Sequence, residues 1–188
     1  MKQKIKKTIR EIYWAYQGRE LKNPRLPVST KSILYVCKGN ICRSPFAERL
    51  TNKLLKKGSN DILTIRSAGI DATVANPPPK EAIDSAKIFE ISMDDHRAQE
   101  LTQELIDGSD MIVAMEVKHL KQLEEAYPGS RGKLFLLSMF SHDRHRWGSY
   151  YNYYNIADPY GKNKDQFILC YEKIKMCIKI LLFEIECK

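Results

Sequence analysis

From Pro27 onward, short apolar runs alternate with longer stretches in which apolar residues recur every three or four positions. Few folds are compatible with that rhythm. The runs Lys31–Val36 (KSILYV), Asp61–Ser67 (DILTIRS), Met111–Met115 and Lys133–Leu137 have the length and apolar character of strands. Between and after them, Ser44–Lys57, Lys80–Phe89, Leu101–Ile106, Glu116–Ala126 and Asp165–Glu186 have helical period. The last of these puts Phe167, Tyr171, Ile174, Ile178, Leu181 and Ile185 on one stripe. Strands that alternate with helices pair in parallel and are covered from both sides. The expected fold is therefore α/β, a four-stranded parallel sheet flanked by helices on both faces. Ligands of such sheets sit beyond the carboxyl ends of the strands, so the loop after the first strand is the place to look for chemistry.

That loop reads Cys37-Lys38-Gly39-Asn40-Ile41-Cys42-Arg43-Ser44-Pro45 and runs straight from strand into helix. Gly39 and Asn40 can take left-handed conformations that turn successive N–H groups inward as an anion nest. The helix beginning at Ser44-Pro45 adds its positive end, and Arg43 can hold two oxygens of a phosphate as a fork. The same positive surroundings favour a thiolate at Cys37. The loop thus joins a nucleophile to the binding site of its electrophile.

Residues 1–30 form a separate piece, a basic helical extension ahead of a 31–188 domain. Ile5, Ile9, Ile12 and Tyr16 share one helical face, Lys2, Lys4, Lys6, Lys7 and Arg10 crowd the start, and Asn23-Pro24 and Leu26-Pro27 end the helix. Such a helix either docks on the body of the protein or makes weak contact with an anionic membrane surface. It lacks the continuous apolar core and small-residue cleavage site of a secretory signal. The longest apolar stretches, Leu134–Leu137 and Ile180–Phe183, are far too short to span a bilayer. Five cysteines, at 37, 42, 170, 177 and 187, are odd in number and unevenly placed, which favours a reducing compartment, the cytoplasm. They offer no zinc-type spacing, so no metal or other cofactor is expected. A net charge of +8 suits an anionic partner. No nucleic-acid module accompanies it, so nucleic acid is not the expected partner.

CKGNICRSP resembles the active-site loop of the low-molecular-weight protein tyrosine phosphatases, and Asp158-Pro159-Tyr160 resembles that family's general-acid motif. The resemblance runs from about Ser32 to the C-terminus. It implies hydrolysis of phosphotyrosine in a protein substrate through a cysteinyl-phosphate. Cys37 would be the nucleophile and Arg43, with the loop Lys38, Gly39, Asn40, Ile41, Cys42 and Ser44, would bind phosphate or another tetrahedral oxyanion. Asp158 would be the acid and then the base. By the same resemblance Asn40 is braced by Ser44, Ser67 and His96, Ser44 donates toward the Cys37 sulfur, and Tyr160 walls the substrate cleft. Cys42 would match a second loop cysteine able to close a disulfide with Cys37.

The sequence departs from that family in four places. The loop from Gly69 to Pro79 has no aromatic residue, so Ala72, Thr73 or Val74 stands where animal members face Tyr160 with a ring. Gly161 follows Tyr160, as in many bacterial members. Ser138–Ala157 is a long Tyr- and His-rich lead-in to the acid, either a recognition loop over the site or a packed surface loop. The first 30 residues have no counterpart in the minimal domain. Two other activities use the same fold. Protein-arginine phosphatases resemble one another in a threonine where this chain has Ile41. Thiol-dependent arsenate reductases need relay cysteines on a mobile segment, whereas Cys170, Cys177 and Cys187 lie on the last helix.

Overall fold

The computed structural model describes residues 2–55, 63–141 and 149–187. Four strands, β1 (Ser32–Cys37), β2 (Thr64–Gly69), β3 (Met111–Ala114) and β4 (Leu134–Leu136), form one sheet in the order β2-β1-β3-β4. All three pairings are parallel, with Cys37 opposite Gly69 and Val36 opposite Ala114. β1, inside the sheet, is apolar and buried from Ile33 to Cys37, as a strand covered on both faces must be. Each strand lies within about two residues of its sequence assignment where described. The expected helix end at 56–57 and strand start at 61–62 lie outside the described residues.

One face of the sheet packs α2 (Arg43–Leu55), α3 (Lys80–Lys87) and the long α7 (Lys164–Glu186). Alternate residues Ile33 and Tyr35 of β1 meet Phe46, Tyr171 and Ile178 there, and the Phe46 and Tyr171 rings stack at 3.8 Å. Of the α7 stripe, Phe167, Tyr171, Ile174, Ile178 and Leu181 are buried and Ile185 is half-buried. Leu34 and Val36 face the other way, onto Ile106 of α4 (Gln103–Asp107), and Val117 and Leu123 of α5 (Val117–Ala126). Glu116, expected as the first helical residue, is the N-cap of α5.

The lead-in to Asp158 contains a helix that periodicity misses, α6 (Tyr150–Tyr154), capped by Ser149 on the N–H of Asn152. Tyr153 and Tyr154 are buried, and Ser138 donates to the Tyr154 carbonyl, so this part of the segment is packed. Residues 142–148 lie outside the described residues.

The N-terminal helix α1 (Lys2–Gln17) docks on α6, but by a different face from the one its Ile stripe marks. Trp14 meets the rings of Tyr151 and Tyr154, and Glu11 accepts the N–H of Tyr150. Ile9, Ile12 and Tyr16 are 62%, 65% and 73% exposed, while the side chain of Ile5 lies outside the described residues. Among the described residues, aromatic packing and a charge-assisted hydrogen bond, not burial of Ile9 and Ile12, hold the helix. Beyond α1, Asn23 bonds both the N–H and the carbonyl of Leu136 on β4.

Candidate active site

β1 ends at Cys37 and α2 begins at Arg43, so residues 38–42 close a tight turn over the carboxyl end of the sheet. Asn40 sits at its apex with φ of 51°, a left-handed conformation that asparagine tolerates. Its side-chain nitrogen donates to Ser44 Oγ and Ser67 Oγ, each at 2.9 Å, and its side-chain oxygen accepts the N–H of Gln99. The Asn40 carbonyl lies 2.7 Å from His96 Nε2. Ser67 in turn donates to Glu48 at 2.6 Å. Burial lowers the His96 imidazole and lifts the Glu48 carboxyl from their ordinary values. Every polar atom of the Asn40 side chain is thus used within the protein, which fixes the turn before any ligand arrives.

Gly69 of β2 is the other requirement of the turn. A Cβ there would lie 2.7 Å from the Lys38 carbonyl oxygen and 2.9 Å from the Asn40 nitrogen. The N–H groups of Ile70 and Asp71 donate to the carbonyls of Cys37 and Lys38 and tie the turn to the second strand.

Inside the turn, Cys37 is buried and its sulfur lies 3.0 Å from Ser44 Oγ. Arg43 is 1% exposed and reaches three groups. Its Nη1 donates to Glu116 at 2.6 Å and to the Ile156 carbonyl at 3.0 Å, and its Nη2 meets Asp158 at 2.7 Å. Nε is buried and has no protein partner among the described residues. Burial works against the charge of Arg43, but Cys37, Asp158 and Glu116 outweigh it and raise the guanidinium above its ordinary value. The acid is brought here from far along the chain. Asn155 accepts the N–H of Val117, and Ile156 donates to Met115, which pins the residues before Asp158 to the end of β3.

A cavity of about 210 Å³ opens above the turn. Cys37, Lys38, Gly39, Ile41, Cys42 and Arg43 form its floor, Asp158 and Tyr160 one wall, and Asp71, Thr73 and Asn76 the other. Thr73 and Asn76 therefore stand where an aromatic clamp is missing. Lys38 pairs with Asp71 at 3.7 Å near the mouth. Cys42 is buried, and desolvation followed by Cys37 pushes its thiol well above the ordinary value. Ser67 and His96 lie behind the turn, outside the cavity lining. Among the described residues no group of three His, Cys, Asp or Glu could hold a metal ion.

Two further residues of the site, Glu116 and His119, belong to no motif of the sequence. Glu116 is 2% exposed at the end of β3, beside β1, and burial of its carboxyl is outweighed by Arg43, which holds it below the usual carboxylate range. His119 is 1% exposed with Nε2 3.6 Å from Glu116, and neither ring nitrogen has a hydrogen-bond partner among the described residues. Burial first, then Arg43, pushes His119 down to about 4. The available signal for Glu116 was its place, a lone acid where the strand next to β1 ends.

A thiol and a buried guanidinium that line one cavity, with a carboxylate paired to the guanidinium, suit a hydrolase of phosphate monoesters. Comparison with known proteins narrows the class. A family model described as low molecular weight phosphotyrosine protein phosphatase matches residues 32–188. The probable low molecular weight protein-tyrosine-phosphatase AmsI of Erwinia amylovora is 39% identical over 140 residues, 74% of this chain and 87% of that one. The sulphate complex of the tyrosine phosphatase Wzb from Escherichia coli K30 superposes with a TM-score of 0.69 at 31% identity. It covers 85% of this chain and 99% of its own. The YwlE arginine phosphatase from Geobacillus stearothermophilus gives a TM-score of 0.70 at 28% identity, covering 84% and 94%. The chain belongs to the low molecular weight protein tyrosine phosphatase family and hydrolyses phosphotyrosine.

Proposed function

We propose that Cys37 is the nucleophile, Arg43 and the amides of residues 38–43 the oxyanion clamp, and Asp158 the general acid and then base. The thiolate attacks phosphorus, the S–P bond forms as the P–O bond breaks, and Asp158 gives its proton to the departing phenolate. Arg43 and the amides stabilise charge on the three equatorial oxygens. Water then attacks the cysteinyl-phosphate, Asp158 takes its proton, and phosphate leaves as the thiolate is restored, accepting a hydrogen bond from Ser44. The observation that carries this reading is the position of Arg43, which touches Asp158 through Nη2 and leaves Nε unpaired beside the turn that starts at Cys37. Asp158 occupies part of the fork, and an incoming phosphate displaces it toward the leaving oxygen. Lys38, Gly39, Ile41 and Cys42 line the phosphate seat and Tyr160 the aryl cleft, while Asn40, Ser67 and His96 hold the turn.

Cys37→Ser is expected to abolish turnover of p-nitrophenyl phosphate, measured without added metal, while the fold stays intact. Asp158→Asn slows poor leaving groups more than good ones, and equal slowing across a phenol series refutes the acid role. Ile41 on the cavity floor favours an aryl ester, so phosphotyrosine peptides are expected to outrun phosphoarginine peptides in a direct comparison.

The same reading divides the chain into a basic extension, residues 1–30, and a phosphatase domain, residues 31–188, in the cytoplasm. Its odd, unevenly spaced cysteines support a reducing compartment. The exposed Ile9, Ile12 and Tyr16, with the basic start of α1, support weak contact with an anionic membrane surface. Among the described residues no helix is long and apolar enough to cross a membrane. Sedimentation with phosphatidylserine vesicles is expected to carry down the wild-type protein and less of an Ile9→Ser/Ile12→Ser variant; equal sedimentation ends the proposal.

A further inference from the structure

Glu116 has two carboxylate oxygens and divides them. Oε1 receives Arg43 Nη1 at 2.6 Å, with Lys118 Nζ at 3.2 Å and His119 Nε2 at 3.6 Å. Oε2 accepts from the hydroxyl of Tyr151 at 3.2 Å. Tyr151 belongs to α6, which the family resemblance did not foresee, and its ring is held from behind by the extension. Trp14 of α1 meets it edge-on at 5.7 Å and stacks over Tyr154 at 6.3 Å. Glu11 accepts the Tyr150 N–H at 2.7 Å, which fixes the first residue of α6. Where α1 ends, Gly18 lies so close under Tyr154 that a Cβ would stand 1.9 Å from the ring. An unbroken line of contacts therefore runs from the N-terminal helix through Tyr151 and Glu116 to the guanidinium in the active site.

We propose that Tyr151 is a positioning residue for Arg43, acting through Glu116, and that Trp14 holds it in register. Arg43 must present Nε and Nη2 to an oxyanion, so its Nη1 edge has to be anchored, and Glu116 is the charged anchor beside the neutral Ile156 carbonyl. A carboxylate held by one oxygen can rotate about its last bond, whereas one held by both cannot. Tyr151 supplies the second hold. A five-residue helix has too few internal hydrogen bonds to keep a side chain in place by itself, and packing by α1 provides the missing constraint. The extension is thus part of the catalytic apparatus at one remove.

The inference rests on the proposed role of Arg43, and the two can fail separately. Tyr151→Phe deletes only the hydroxyl. It is expected to lower kcat/KM for p-nitrophenyl phosphate by roughly 3- to 10-fold and to weaken competitive inhibition by inorganic phosphate by a similar factor. Trp14→Ala is expected to reproduce both effects, Trp14→Phe to restore them, and the Trp14→Ala/Tyr151→Phe pair to be no worse than either single change. A general loosening of the fold would lower kcat alone and leave phosphate inhibition as it was. Wild-type kinetics in Tyr151→Phe, unchanged phosphate inhibition, or fully additive losses in the pair would each overturn the proposal. Arg43→Lys, measured alongside, separates the readings. Loss of activity there with a silent Tyr151→Phe defeats only this inference, whereas full activity in Arg43→Lys defeats the proposed mechanism itself.

Discussion

Truncating Glu116 to alanine should damage stability and catalysis together, and the size of both effects follows from its surroundings. The Glu116 side chain is 3% exposed and that of Arg43 is 2% exposed, so solvent cannot replace the lost partner. Breaking a buried pair by removing one member costs about 3–5 kcal/mol. Arg43 keeps Asp158 and the Ile156 carbonyl, which places the expected loss at the lower end, about 3 kcal/mol. For a chain of this size that lowers the unfolding midpoint by roughly 6–12 °C. With Nη1 held only by the Ile156 carbonyl, the guanidinium is drawn toward Asp158, its remaining carboxylate partner. A displacement on the order of 1 Å would reduce kcat/KM by about 10²-fold. Glu116→Gln keeps an acceptor oxygen and the volume while removing the charge, and should fall between wild type and alanine on both measures. Calorimetric unfolding and steady-state hydrolysis of p-nitrophenyl phosphate on the three proteins test this. A Glu116→Ala protein with the midpoint and kcat/KM of wild type would refute the claim that Arg43 depends on this carboxylate.

Two further outcomes follow from the same region. In the unfolded chain His119 gains its proton near 6.5, but in the fold only near 4, because burial and Arg43 oppose the charge against the pull of Glu116 and Asp158, with Lys118 adding to the opposition. The unfolded state therefore binds more protons between those values, and His119 alone makes the protein lose about 3 kcal/mol as pH falls through that window. Denaturant titrations at pH 7 and pH 4.5 are expected to show a smaller difference for His119→Asn than for wild type; an identical difference rejects the assignment. Gly69→Ala forces a Cβ against the backbone of Lys38 and Asn40, so the turn must shift. Its kcat/KM should fall about 10-fold or more, with weaker inhibition by phosphate, and unaltered phosphate inhibition counts against the packing argument.

The sheet and its covering helices were legible because burial on both faces leaves a signature that few other arrangements share. Leu34 and Val36 face one layer while Ile33 and Tyr35 face the other, and both sets are apolar. The turn from Cys37 to Ser44 was legible because glycine, asparagine and a proline-started helix each restrict the backbone in a known way. Periodicity failed where short contacts outweigh it. α6 has five residues rich in tyrosine and asparagine, no stripe to detect, and owes its existence to the Ser149 cap and to packing by Trp14. The extension illustrates the same limit. Its Ile stripe is real, yet Trp14 and Glu11, which lie off that stripe, select the docked face. Glu116 was missed because a single acid beginning a helix reads as a solvated charge until a neighbouring strand brings Arg43 beside it.

β4 is an outer strand of three residues, and its open side is occupied at Leu136 by the amide of Asn23, which offers one donor and one acceptor as a paired strand would. Sheet rims left bare invite other chains to add themselves on. Trimming the polypeptide back to the matched family module would strip this plug away along with the helix before it. The shortened protein would then carry an adhesive rim, and its self-association would follow from the lost asparagine, not from any change in the catalytic half of the molecule.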